Sequence, residues 1–235
     1  QVIDKAIRWG WTLSNPIDQT EVKARARHVG KVEIPTHAEL RRILDVFGED
    51  PAWNLGGVFI HTMVNTGMRP SELRGLVDAQ DTLNLKTAPY SITVRQRADQ
   101  WGKIGSPKSG AGHRTIPLSG DMAMMLKRWL LHRPHSGAGY VFPTSKGGVQ
   151  NYSNILNRVW RPTLEQAGLM VRDQDDPNKL VPKYTPYALR HYYASMLIDM
   201  GRNVKQVQQR MGHSNIQITL DTYGHLWKDT ERSEE

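Results

Sequence analysis

The stretch "TPYALRHYYASMLIDMG", residues 185–201, sets an arginine beside a histidine one turn into a segment otherwise written for a helix. Thr185 followed by Pro186 reads as a cap with proline at the first helical position, and Gly201 as the stop. Leu189, Tyr192, Tyr193, Met196 and Leu197 recur at helical intervals on one side, which assigns Tyr192 and Tyr193 to a core. Arg190 and His191 are the groups left for chemistry. The next segments are punctuated in the same way. Asn203 caps a helix that stops at "MGH", residues 211–213, and Ser214 opens another, "NIQITLDTYGHLW". The last third of the chain is therefore helical.

Working back from there, "IPTHAELRRILDVF" (34–47) carries a Thr36/Glu39 capping-box pattern and an apolar stripe of Leu40, Ile43, Leu44 and Phe47. A helix follows over roughly 52–65, with Gly67 as its C-cap and Ser71 as the start signal of a short helix. Residues 91–98 and 113–118 alternate as strands around a Gly/Ser/Pro-rich segment, so they predict a hairpin with a long mobile tip. Ser119 caps a Met-rich helix, "YVFP" (140–143) reads as a short strand, and a helix follows around 153–167. The polar run "VRDQDDPNKLVPK" (171–183) reads as a loop. The expected class is mainly α with a small antiparallel sheet or hairpin, an α+β fold.

At the other end, "QVIDKAIRWGW" begins in mid-helix without an initiator methionine, which suggests a piece of a longer chain. Residues 1–17 read as the end of a preceding helical unit, 18–33 as a basic linker and 34–235 as one domain. Lys23, Arg25, Arg27 and Lys31 stand in the linker without apolar periodicity; they suit a DNA backbone, and a disordered charged connector is the alternative from this segment alone.

Across 235 residues, 31 Lys and Arg against 23 Asp and Glu give a net charge of +8, a surplus that favours polyanionic partners, nucleic acid first. The absence of cysteine excludes disulfides, Cys-ligated zinc and thiol catalysis. No run approaches the roughly 20 apolar residues of a membrane span.

Two helices around a short break on a basic protein could be a helix-turn-helix reader without catalysis. The polar side chains of "NVKQVQQRMGHSNIQITLDTYGH" are split between both helices, however, and form no base-reading row. A stronger pattern lies at element ends. Arg69, Lys108, Arg190 with His191, and His213 are all phosphate-compatible donors, and Tyr223 can be a nucleophile. Spacing alone does not bring them together.

"TGMRPSELRGL", "PKSGAGHRTIPL", "TPYALRHYYASMLIDMG" and "MGHSNIQITLDTYGH", in that order, resemble the tyrosine recombinase family in its phage-integrase branch, over nearly all of residues 34–227. "VIDKAIRWGWTLSNP" resembles the end of the core-binding domain that precedes the catalytic domain. The resemblance implies that Arg69 and Arg190 are the catalytic arginines, Lys108 the hairpin lysine, His213 a donor and Tyr223 the nucleophile. Glu72 would buttress the site and His191 help Arg190. Lys103 is a nearby competitor for the hairpin role, which "PKSGAGHRTIPL" gives to Lys108, and is otherwise read as a DNA contact. One position departs from the pattern. Tyr187 stands where the family usually has histidine. One turn from Arg190 and on the same face, it would reach the phosphate that Arg190 binds. A phenol, with an ordinary pKa of about 10, is a poor base but a workable donor there. The chemistry is therefore expected to be retained but retuned, with an impaired enzyme as the alternative.

By the same resemblance the chain cleaves and rejoins double-stranded DNA through a 3′-phosphotyrosyl bond, with no metal and no cofactor, as a homotetramer on two sites. DNA-bending or directionality factors would accompany it in a bacterial cytoplasm. A topoisomerase-like relaxing enzyme is the alternative with the same chemistry. The tail "GHLWKDTERSEE" would dock on a neighbouring protomer or fold back on its own domain.

Overall fold

Gly67 and Gly212 end two helices with left-handed backbone (φ +60° and +63°) and turn their last carbonyls toward one place. The fold is built around that convergence. The structure, a computed structural model, describes residues 2–11 and 33–231. The chain divides into two compact units, residues 1–31 and 32–235. In the first, α1 (Val2–Arg8) is the described element. Lys23, Arg25, Arg27 and Lys31 lie outside the described residues.

The second unit begins at α2 (His37–Asp45), where Thr36 and Glu39 form the expected capping box. The helix expected over 52–65 is shorter. A single 3₁₀ turn at Pro51–Trp53 precedes α3 (Leu55–Thr66), because the Asn54 side chain accepts from the amides of Gly56 and Gly57 and sets the start there. The short α4 (Pro70–Arg74) takes Arg69, not Ser71, as its N-cap. Proline occupies the first helical position, and the Glu72 carboxylate reaches back to the Arg69 amide at 2.9 Å.

The strand reading of 91–98 holds only in part. β2 (Ser91–Val94) lies between β1 (Leu83–Asn84) and β5 (Arg114–Pro117) in an antiparallel sheet, with Ile92 opposite Ile116. The chain then leaves that ladder, and β3 (Arg97–Ala98) pairs with β4 (Ile104–Gly105) as a second, smaller hairpin within the expected tip. Ser119 caps α5 (Gly120–His132) as read. "YVFP" forms no strand. Val141 and Phe142 are fully buried, and the segment is held by isolated bridges Val77–Tyr140 and Pro143–Val149.

The next helix opens at α6 (Tyr152–Ile155) under an Asn151 cap, widens to a π turn over Leu156–Trp160, and continues as α7 (Arg161–Gln166). Pro162 lacks an amide and would crowd the carbonyl four residues back, so a wider turn ahead of it relieves the clash. The polar run 171–183 is a hairpin rather than a plain loop. β6 (Met170–Arg172) pairs with β7 (Leu180–Pro182), Val171 opposite Val181, while Asp173 and Asp176 cap the turn amides of Asp175 and Asn178.

Three helices close the domain: α8 (Tyr187–Asp199), α9 (Val204–Met211) and α10 (Ile216–Glu231). Pro186 already has helical backbone before α8, and the Asn203 cap of α9 is present with Gln206 completing a capping box. At α10 the capping side chain is Asn215, which accepts from the Gln217 amide, not Ser214.

The main core gathers α2, α3, α5, the central sheet and Leu189 and Tyr192 of α8. Its fully buried side chains, among them Ile43, Phe59, Met63, Leu126 and Phe142, are each worth about 1.5–3 kcal/mol of transfer free energy. A second, smaller cluster binds the last three helices through Ala194, Ile198, Val207, Met211 and Tyr223, with Tyr193, Leu226 and Trp227 packed on it. The start of the tail therefore folds back on its own domain, and the Trp227 indole donates to the Arg202 carbonyl at 3.2 Å.

Candidate active site

Helix ends carry carbonyls that no helical amide can reach, and the dipole makes that end favourable for cations. Two such ends face each other here. Arg190, one turn into α8 and 4% exposed, donates to Gly67 O at the end of α3 and to Met211 O at the end of α9. Arg69 donates to Gly212 O at 3.4 Å. Neither glycine tolerates a side chain. A Cβ on Gly67 would stand 2.3 Å from the Tyr193 ring, and one on Gly212 would stand 2.9 Å from both Ala111 O and the Arg114 guanidinium.

One carboxylate organises the arginines. Glu72 is 2% exposed; Oε1 accepts from Arg69 at 2.8 Å and Oε2 from Arg114 at 2.9 Å. Arg114 continues to Arg210 O at 2.8 Å and Gly112 O at 3.1 Å. Burial alone would raise the Glu72 carboxyl, but Arg114, then Arg69 and Arg190, outweigh it and hold it at about 2. Three guanidiniums surrounding one carboxylate leave an excess of positive charge. Burial and Arg69 push Arg190 down to about 9, with Glu72 opposing, so it remains a cation at neutral pH. Among the described residues Arg190 meets carbonyls only and has no ion-pair partner, which is the electrostatic condition for receiving an anion.

Tyr223 comes from α10, where Thr219 and Tyr223 are four apart and share the buried face. Its hydroxyl lies 2.6 Å from His191 Nδ1, and its ring stacks on His213 at 6.4 Å with an interplanar angle of 9°. His213 is held through Nδ1 to the Thr219 hydroxyl at 2.9 Å, and its backbone carbonyl accepts from Gln208. Burial pushes the Tyr223 phenol up to about 12 although Arg190 and Arg69 pull the other way. Burial and then Arg190 depress His191 to about 4, and burial with Arg190, Arg69 and Arg114 depresses His213 to about 3. Both imidazoles are neutral at pH 7. The phenol is therefore the donor to His191 Nδ1, which places the His191 proton on Nε2.

These two histidines make a stability prediction. Each has a folded pKa below its ordinary 6.5, so the unfolded chain binds more protons between pH 6.5 and about 4. Their contribution is complete above pH 6.5 and is lost as pH falls, by ~1–2 kcal/mol each after allowance for partial solvent access. Urea unfolding should show stability falling between pH 7 and 4, and a flat profile there would contradict the assignment.

Of the residues singled out in the sequence, the structure brings Arg69, Glu72, Arg190, His191, His213 and Tyr223 together. Lys108 and Tyr187 stand apart from that cluster. Lys108 is exposed on the tip before β5, Tyr187 is 41% exposed at the first position of α8, and the two line one cavity of about 300 Å³. Lys103 is exposed in the turn that leads into β4. Arg114 was not singled out. Its signal lay in the strand alternation, since Arg114 shares the buried register of β5 with Ile116, an arginine where an apolar residue is expected.

The fold is that of the tyrosine recombinase catalytic domains. It superposes on the Tn1549 transposon integrase bound to transposon right end DNA with a TM-score of 0.70 at 26% identity, over 99% of this chain and 74% of that one. The phage integrase family model matches residues 34–229, and the chain belongs to that family. It is 32% identical over 181 residues to a tyrosine recombinase XerC-like protein of Caldanaerobacter subterraneus subsp. tengcongensis, covering 68% of this chain and 43% of that one. The transposase of transposon Tn916 from Enterococcus faecalis is 26% identical over 180 residues, covering 73% of this chain and 42% of that protein. The chain thus spans less than half the length of these curated relatives.

Proposed function

We propose that this chain is the catalytic part of a site-specific DNA recombinase that cuts and rejoins DNA through a 3′-phosphotyrosyl intermediate. The observation that carries the reading is a buried tyrosine hydrogen-bonded to a neutral histidine beside an arginine cluster with unmatched positive charge. Phosphoryl transfer asks a protein for alignment and for neutralisation of charge on the equatorial oxygens. Arg190 and Arg69 supply the fork donors, Arg114 and Glu72 hold them in place, and His213 Nε2, without a partner among the described residues, adds a neutral donor.

Tyr223 Oη bonds to the scissile phosphorus as the bond from phosphorus to the 5′-oxygen breaks. The phenolic proton passes toward His191 Nδ1, and the Lys108 ammonium gives a proton to the departing 5′-oxygen. A phenol at about 12 facing an imidazole at about 4 does not ionise at rest, so its proton leaves only as the phosphorus–oxygen bond forms. The fixed guanidiniums provide the charge that a metal ion would otherwise bring. The phosphotyrosyl bond stores the energy of the broken diester, so a 5′-hydroxyl from another strand reseals it without ATP. Two duplexes present four strands to cut with one tyrosine per chain, hence a tetramer on two sites. The linker cations Lys23, Arg25, Arg27 and Lys31, and Lys103 near the hairpin, contribute salt-sensitive backbone contacts. Residues 1–17 are read as the end of a core-binding domain. Among the described residues no helix is long and apolar enough to cross a membrane.

The test uses nicked duplexes from a random-sequence pool. Wild type is expected to become covalently attached to DNA 3′ ends, and Tyr223→Phe to bind without attachment, a loss of at least ~10³-fold in adduct. An adduct that survives the substitution overturns the assignment. Binding without any attachment would indicate a DNA-reading module, and altered supercoiling without joining of two sites a relaxing enzyme.

A further inference from the structure

Helix α4 has a second face. Glu72 points into the arginine cluster, whereas Ser71 and Arg74, three apart and so on one side, line the cavity that also holds Lys108 and Tyr187. Arg97, at the start of β3, and Tyr152, at the start of α6, complete the walls. The lining is rich in donors. Arg74 is committed to the Gln150 and Asp99 carbonyls at 2.6 and 3.1 Å. The carboxylate of Asp99, also on the wall, accepts from the amides of Trp101 and Lys103 at 2.9 Å each. Against that one carboxylate stand Arg74, Arg97 and Lys108, so the cavity is net cationic.

Its donors are largely unused. Arg97 lines the cavity, and its Nε is buried with no hydrogen-bond partner. Its terminal guanidinium nitrogens have no partner among the described residues, so they are free to meet an acceptor in the cavity. The hydroxyls of Tyr152 and Tyr187 and the Lys108 ammonium have no partner among the described residues. Burial, reinforced by Tyr187, keeps the Tyr152 phenol protonated and therefore a donor. A ligand that suits the site is an anion with several acceptor oxygens.

We propose that the cavity receives a DNA phosphodiester on the strand that departs with the 5′-hydroxyl, one nucleotide beyond the scissile phosphate, with Arg97, Tyr152 and Tyr187 as its donors. The placement rests on the reading of Lys108 as the acid for the leaving oxygen. In-line displacement puts nucleophile and leaving group at opposite ends of the phosphorus. Tyr223 lies among α8, α9 and α10, while Lys108 lines this cavity on the other face of α4. The departing strand is then held where it must wait for religation. Tyr187 accordingly serves the leaving strand rather than the phosphate that Arg190 clamps.

A duplex selected from a random pool by binding to the chain is the probe, with each phosphate in turn replaced by neutral methylphosphonate. Binding is read with Tyr223→Phe, in which no bond to phosphorus forms. Chains with Arg97 should show, besides the phosphates met by Arg69, Arg190 and the linker cations, a further position where neutralisation weakens binding ~10-fold. Adding Arg97→Ala should weaken the all-phosphate duplex by the same factor and abolish sensitivity at that position alone. Tyr152→Phe, which removes one hydroxyl, should give a loss of ~3-fold at the same position. That position should lie one nucleotide to the 5′-hydroxyl side of the phosphate that wild type attacks. Equal sensitivity at every phosphate with and without the Arg97→Ala substitution overturns the proposal, as does an Arg97-dependent position elsewhere. Inhibition by inorganic phosphate that Arg97→Ala relieves, without any sensitive position in the duplex, would show a free-anion site and overturns it as well. An Arg97-dependent position in a chain that never becomes attached would instead retire the phosphotyrosyl reading and leave the phosphate contact standing.

Discussion

An Arg190→Lys variant is expected to form the covalent DNA adduct about 10³-fold more slowly than wild type, the lower end of what an arginine contributes to phosphoryl transfer. The guanidinium spans two helix ends, Gly67 O and Met211 O, with one nitrogen each, and its plane fixes how any phosphate is met. An ammonium is a point charge without that fork and cannot satisfy both carbonyls while facing an anion. The buried site and the neighbouring guanidiniums of Arg69 and Arg114 also disfavour a protonated amine there. Lysine there should lose its charge near neutral pH and regain part of it as the pH falls. Single-turnover adduct formation across pH 6–8 should show the variant's deficit narrowing toward pH 6, with DNA affinity little changed. A deficit under tenfold at every pH would mean that Arg190 does not act on the reacting phosphate.

Much of this architecture is readable from local chemistry. The Thr36 and Asn203 capping boxes, the Ser119 cap and the Gly67 stop are set by neighbours within a few residues, and the structure shows each of them. Failures came where the deciding partner is distant or the local signal weak. The polar run 171–183 pairs as a hairpin because its few β-branched residues face one another across a capped turn, while its many charged residues mask the alternation. "YVFP" resembles a strand but only fills the core.

At the site, motif order marked six residues that meet in space, although their contacts were out of reach of spacing. Arg114 went unmarked even though it sat within a quoted motif, since an alternating strand hides one polar residue on its buried face until Glu72 is seen opposite. Lys108 and Tyr187 show the reverse. Sequence neighbours Tyr187 and Arg190 share a helix, yet the first opens α8 at the surface and the other is buried a turn later.

Glu72→Gln should destabilise the domain by about 3–5 kcal/mol, the usual consequence of removing one member of a buried ion network. The replacement keeps the shape and one acceptor oxygen but leaves Arg69 and Arg114 with no carboxylate, and Arg114 is only 9% exposed. Arg114 cannot relax to solvent, because its Nε is tied to Arg210 O at the end of α9. Removing both charges should therefore cost less than the two single losses combined. In a double-mutant cycle with Arg114→Gln, urea unfolding should recover at least ~1 kcal/mol relative to additivity. The pH profile gives an independent reading. A carboxyl held at about 2 against an ordinary 4.5 contributes stability that is present above pH 4.5 and lost as the pH falls toward 2. The difference between wild type and Glu72→Gln should consequently shrink across that window and be widest near neutrality. Additive losses, or a difference that is constant in pH, would mean that Glu72 fills space beside the arginines without holding them.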